Sequence, residues 1–157
     1  MKKILLIAIA AMMLVACKSH QVSMDAFYPT KCEYLNSEGD GSITVRAYGS
    51  GRNNVDAFAQ ARKNALQEVI FKGIAVPGNA YLSRPLIMEV NAEEKYAEFF
   101  NAFFADNGPY EGFVSKQDRR LVTNEKESSG TQKKTSTTVR VLRSQLQKYL
   151  KENNIIK

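Results

Sequence analysis

Residues 42–73 read SITVRAYGSGRNNVDAFAQARKNALQEVIFKG, and the change of period inside this stretch decides the fold. Ile43, Val45 and Ala47 alternate with Thr44, Arg46 and Tyr48, the pattern of a strand with one face buried. Gly49-Ser50-Gly51 then breaks the strand, and Asn53 or Asn54 is placed to cap a helix. From residue 55 to residue 72 the apolar positions Val55, Phe58, Ala61, Ala65, Leu66, Val69 and Ile70 keep helical spacing. Ala57, Ala59, Ala61 and Ala65 thin the helix so that it can lie close on a sheet. Gly73 is its natural stop.

Working outward, residues 31–35 form a second strand candidate, joined to the first through the turn-rich residues 36–41. Residues 74–84 contain Pro77-Gly78 and read as a loop, and residues 85–90 as a short strand or extended segment. Residues 91–106 predict the most regular helix. Tyr96, Phe99, Phe100, Phe103 and Phe104 share one face, with Glu93, Glu94, Lys95 and Glu98 on the polar side. Burying one Phe is worth about 2–3 kcal/mol, so this face is expected in the core. Residues 110–124 and 135–142 read as strands, residues 125–134 as the exposed loop between them, and residues 143–153 as a last helix presenting Leu146, Tyr149 and Leu150. The order ββα(β)αββα predicts an α+β domain, with an antiparallel or mixed sheet and helices packed on one face.

The chain has 157 residues, two Cys, one His and no Trp. This is one domain's worth of sequence. Met1-Lys2-Lys3 and the uncharged apolar run of residues 4–16 have the anatomy of a signal peptide; the run is shorter than the roughly 18 residues needed to span a bilayer. It ends in Leu14-Val15-Ala16-Cys17, which resembles the lipobox of bacterial lipoproteins. Leu14 matches the bulky position, Ala16 the small residue before cleavage and Cys17 the residue that carries lipid. The alternatives are an ordinary export signal with an incidental Cys, or an uncleaved anchor. The resemblance implies residues 1–16 as signal peptide, 17–30 as lipidated N-terminus and tether, and 31–157 as the folded domain. One acyl chain holds a protein only marginally, at about 0.8 kcal/mol per buried methylene, whereas two or three hold it firmly. Lys18 follows Cys17 in place of the Asp that resembles an inner-membrane retention signal. The expected site is therefore the outer membrane, and because Lys18-Ser19-His20-Gln21 has no acidic cluster of the kind linked to surface export, its periplasmic face. With Cys17 acylated, Cys32 is the one remaining thiol, either buried as a small hydrophobe or free to pair between chains.

A second resemblance concerns residues 42–142. Gly49 and Gly51, Ala61-Arg62, Ala65-Leu66, Gly73-Ile74-Ala75-Val76, Gly112-Phe113-Val114 and Val139-Arg140-Val141 resemble the small α+β domain of bacterial envelope lipoproteins and of the N-terminus of the flagellar assembly protein FlgT. It implies a non-enzymatic envelope component with no catalytic residues to carry over.

Candidate chemistry is sparse. Gly49-Ser50-Gly51 before a helix invites a phosphate, but the third glycine of a dinucleotide fingerprint is Asn54 and no Gly-Lys-Ser/Thr follows. A tight turn that lets a thin helix pack explains it better. Asn36, Glu38, Asp40, Gly41 and Ser42 imitate the start of a calcium loop, yet Ala47 stands where the bidentate Glu belongs. The single His, His20, lies in the tether, so a His-activated nucleophile lacks its base. Paired carboxylates remain for acid–base work, with Glu93, Glu94, Glu98, Glu111 and Asp118 available. No catalytic, cofactor or metal residues are assigned.

Charge is uneven. Residues 18–109 hold 9 Lys/Arg and 11 Asp/Glu, net −2, whereas residues 110–157 hold 11 and 5, net +6. Lys116, Arg119, Arg120, Lys133, Lys134, Arg140 and Arg143 are the expected partner-binding surface, for an envelope protein or another anionic envelope component rather than nucleic acid. The same lysines and arginines also serve as solubility and edge guards. The leading expectation is a lipid-anchored binding or assembly component. The second is an accessory lipoprotein holding a small ligand or glycan beside the aromatic helix, and the third a carboxylate-based hydrolase.

Overall fold

The computed structural model describes residues 32–115, 126–129 and 132–157; the signal, lipobox and tether, and Lys116, Arg119 and Arg120, lie outside the described residues. The fold is α+β. A four-stranded sheet of order β1-β2-β4-β3 is built from β1 (Glu33–Ser37), β2 (Ile43–Gly51), β3 (Lys126–Ser129) and β4 (Gln132–Val141). All its pairings are antiparallel. Between β2 and β3 come α1 (Asn54–Gln67), which runs on into a π-helical turn (Glu68–Lys72), then α2 (Ala80–Ser83), α3 (Ala92–Lys95), α4 (Ala97–Phe103) and a 3₁₀ turn (Pro109–Phe113). α5 (Arg143–Glu152) follows β4 directly.

The alternation read in residues 43–47 sets the core. Ile43 pairs with Val141, Val45 with Val139, Ala47 with Thr137 and Gly49 with Thr135, and none of these residues is more than 8% exposed where it carries a side chain. α1 lies on this face. Its contact stripe is Ala57, Ala61 and Ala65, all fully buried, with Leu66; Val55, expected inward, is 75% exposed. The thin stripe brings the helix so near that β2 continues through Gly49 and Gly51 instead of breaking there. A Cβ on Gly49 would lie 2.2 Å from Ala57 O and 2.4 Å from Ala61 N. The Asn53 side chain accepts from Asp56 N at 2.9 Å and caps the helix.

Several expectations are corrected. The helix expected over residues 55–72 changes hydrogen-bond step in its last turn, where Gly73 N donates to Glu68 O at 2.7 Å. This wider turn leaves two carbonyls without helical donors. Val69 O and Ile70 O accept instead from Leu86 N and Ile87 N, at 3.1 and 2.9 Å. Residues 85–90 are therefore no strand: their backbone donors are drawn to a helix end, not to a sheet edge. The aromatic helix is broken at Tyr96 (φ −109°, ψ 26°), after a start at Asn91 in the left-handed region. Its aromatic face is nonetheless internal. Phe103 is 1% exposed and touches the rings of Phe99, Phe100, Phe104, Phe113 and Tyr149.

The strand expected over residues 110–124 begins as the 3₁₀ turn, and only Val114 bridges to Val141; residues 116–125 lie outside the described residues. Part of the expected loop at 125–134 is sheet, since β3 and the first residues of β4 pair as a hairpin from Lys126↔Thr135 to Ser129↔Gln132. Leu146, Leu150 and Ile155 close the core from α5 and the chain after it.

Candidate functional site

The two motifs with borrowed chemistry resolve into packing. Gly49 and Gly51 abut the backbone of α1, and the Asn53 side chain caps the helix start, so the glycines serve close packing and the cap is supplied by the chain itself. In the β1–β2 turn, Arg140 Nη2 reaches both the Glu38 and Asp40 carboxylates, at 2.5 and 2.8 Å. A guanidinium thus stands where a calcium ion would have to sit. Asp40 also accepts from Ser42 N at 2.8 Å. Its carboxyl is held below the usual carboxylate range, chiefly by the hydrogen bonds from Ser42 and also by Arg140. A depressed carboxyl contributes stability above its unfolded value, near 3.9, and loses it as pH falls. Thermal melts of Asp40→Asn are accordingly expected to flatten with acidification below about pH 4 relative to the parent.

Cys32 is half-buried against the core. Burial, with the negative charge of Glu68 adding and Lys72 opposing, pushes its thiol up to about 12. It is a packing residue with little thiolate at neutral pH. The aromatic side chains that a ligand groove would use contact one another, Phe99 stacking on Phe103 with centroids 6.0 Å apart and Phe113 tilting onto Tyr149 at 5.0 Å. Glu93, Glu94 and Glu98 are exposed on α3 and α4. Among the described residues no group of three or more His, Cys, Asp and Glu side chains converges as a metal site.

Lys133, Lys134, Arg140 and Arg143, the described members of the expected basic surface, do not share one face. Lys133 pairs with Gly51 and Lys134 with Ser50, so the two project from opposite faces of the sheet. Arg140 lies on the Lys134 side and is engaged by Glu38 and Asp40. Arg143 leaves the sheet altogether. At the first residue of α5 it is 3% exposed, and its Nη2 donates to Tyr81 O and Arg84 O at 3.2 and 3.1 Å. The Tyr81 ring covers it, with its centroid 4.9 Å from Cζ. The Tyr81 hydroxyl in turn donates to Gln147 Oε1 at 3.0 Å.

This second basic centre, joining α2 to α5, was not visible in the loop reading of residues 74–84. One signal for it exists in the sequence: Arg143, Gln147 and Lys151 recur every fourth residue and so share a helix face. No protein-family model, no curated protein and no solved structure matches this chain.

Proposed function

We propose that this protein is a lipid-anchored component of the bacterial cell envelope, held through Cys17 at the periplasmic face of the outer membrane, and that it acts by binding or assembly rather than by catalysis. The observation that carries the reading is Leu14-Val15-Ala16-Cys17 at the end of an uncharged run behind Lys2 and Lys3. Charge, length, small residue and Cys fall in the order that a lipoprotein signal requires. Residues 18–30 supply a tether of 13 residues, reaching roughly 43–47 Å at full extension. A domain held this way meets membrane-associated partners at high effective concentration, so modest contacts suffice.

The binding role also draws on the composition: the one His, His20, follows Cys17 by three residues, and a His-activated nucleophile has no other imidazole to serve as its base. Mass measurement of the N-terminus of protein purified from its native membrane tests the anchor. Acylated Cys17 is expected as the first residue, and Cys17→Ser is expected to release the chain to the soluble fraction. A free Met1 or an unmodified Cys17 overturns the reading.

A further inference from the structure

Arg143 carries a full positive charge at 3% exposure, yet among the described residues its acceptors are two backbone carbonyls and no carboxylate. Its Nε is buried without an acceptor. Carbonyls offer partial charges only, so most of the guanidinium's field is left uncompensated and is felt at the nearest surface. That surface is the Tyr81 ring. Tyr81 is 61% exposed but held in place from three sides. Its ring lies over the guanidinium, its hydroxyl is tied to Gln147, and its helix is capped where the Asn79 side chain accepts from Leu82 N at 3.0 Å.

Arg84, three residues on from Tyr81, is exposed, as is Lys151, whose charge reaches the Tyr81 hydroxyl. The Tyr81 hydroxyl is held below the ordinary tyrosine range, chiefly by hydrogen bonding from the Arg143 side chain, with the positive charges of Arg143 and Lys151 adding to it. An aromatic side chain that is exposed, fixed over a guanidinium and within reach of a second cation matches the composition of protein-binding hot spots, where Tyr and Arg are enriched. Because it is already ordered, little entropy is lost on docking.

We infer that Tyr81, Arg84 and Lys151, set over the buried Arg143, form a docking surface for an acidic polypeptide segment. The inference rests on the binding role proposed above and names the class of partner. Arg84 and Lys151 come from separate parts of the fold, after α2 and within α5, and the Arg143 fork is turned toward carbonyls. Carboxylates strung along a chain fit that spacing better than one compact phosphate, which calls for several donors converging on a point.

The test is a titration of the isotope-labelled full chain with capped hexaglutamate, followed by amide and Arg Nε–H resonances. Shifts are expected at residues 80–84 and 143–151 and at Arg143 Nε. Arg84→Glu with Lys151→Glu should weaken binding by about tenfold or more, whereas Lys133→Glu with Lys134→Glu should leave it unchanged. Both pairs sit on the surface, and unshifted core amides verify that each variant is folded. Absent shifts, or shifts centred on Lys133 and Lys134, overturn the surface. Phosphatidylglycerol vesicles moving these residues where the peptide does not would assign it to phosphate and equally overturn it. The N-terminal mass reads the anchor separately: an acylated protein that ignores the peptide loses only the surface, and an unacylated one that binds it loses only the anchor.

Discussion

Replacing Gly49 with alanine is expected to lower the unfolding free energy by about 3 kcal/mol and the melting temperature by roughly 10 °C. The new Cβ would stand 2.2 Å from Ala57 O, 2.4 Å from Ala61 N and 2.9 Å from Ala61 Cα. All three are backbone atoms of one helix, so no side chain can rotate aside. α1 must move off β2, and with it the fully buried Ala57, Ala61 and Ala65. Overpacking costs about 1–3 kcal/mol and more where relaxation is blocked. The opposing gain, a stiffer unfolded chain, is worth only about 0.4–1 kcal/mol. Gly51→Ala meets Ala57 N and Asp56 Cβ at 2.6 Å and Asp56 C at 2.8 Å; the overlap is smaller than at Gly49 and lies at the half-buried end of β2, so it should lose less. Gly39→Ala, with nothing within 4 Å of its Cβ, should melt like the parent. Urea unfolding of the three variants checks the ranking; a Gly49→Ala protein as stable as Gly39→Ala would refute the close packing.

That packing is also where the sequence was most legible. Ile43, Val45 and Ala47 revealed their face through a period of two, and the alanines at 57, 61 and 65 announced a helix meant to lie close. The glycines were misjudged as a break because glycine ends strands and also permits close approach, and only the partner element tells which. Hydrogen-bond bookkeeping hid the segment after α1. Nothing in Pro85-Leu86-Ile87 distinguishes amides donating to a strand from amides donating to Val69 O and Ile70 O, since the acceptors arise from a π-helical turn that apolar spacing does not encode. At Tyr96 the aromatic periodicity was correct and the continuity was not, because Tyr96, Phe100 and Phe103 can reach the core across a kink as well as along a straight helix.

The candidate site was legible in composition and illegible in place. The excess of Lys and Arg after residue 110 is real, but charge counted along a chain says nothing of burial or pairing. Arg140 is neutralised by Glu38 and Asp40 from a turn 100 residues earlier. Arg143 is drawn inside by carbonyls of α2. Lys133 and Lys134 fall in the stretch whose composition reads as a loop, and only a strand that begins at Gln132 assigns them to opposite faces.

Arg143→Ala is expected to cost about 3–4 kcal/mol, and the comparison with Arg143→Met tells why the residue is there. Truncation strands Tyr81 O and Arg84 O, each losing a charge-assisted donor worth about 1.5–3 kcal/mol. It also leaves a void under the Tyr81 ring. Methionine strands the same two carbonyls, but it fills much of the space and removes the desolvation penalty of a buried cation. Its net loss should be about 1–2 kcal/mol by urea unfolding. If Arg143 served the fold alone, a residue that holds α2 to α5 without a buried charge would serve nearly as well. The charge matters for what Tyr81 presents outward. Arg143→Met should therefore stay folded while its affinity for hexaglutamate falls by about tenfold, with Arg84 and Lys151 still in place. A methionine variant that binds the acidic peptide as the parent does would show that the guanidinium acts as a cap for α2, with no share in recognition.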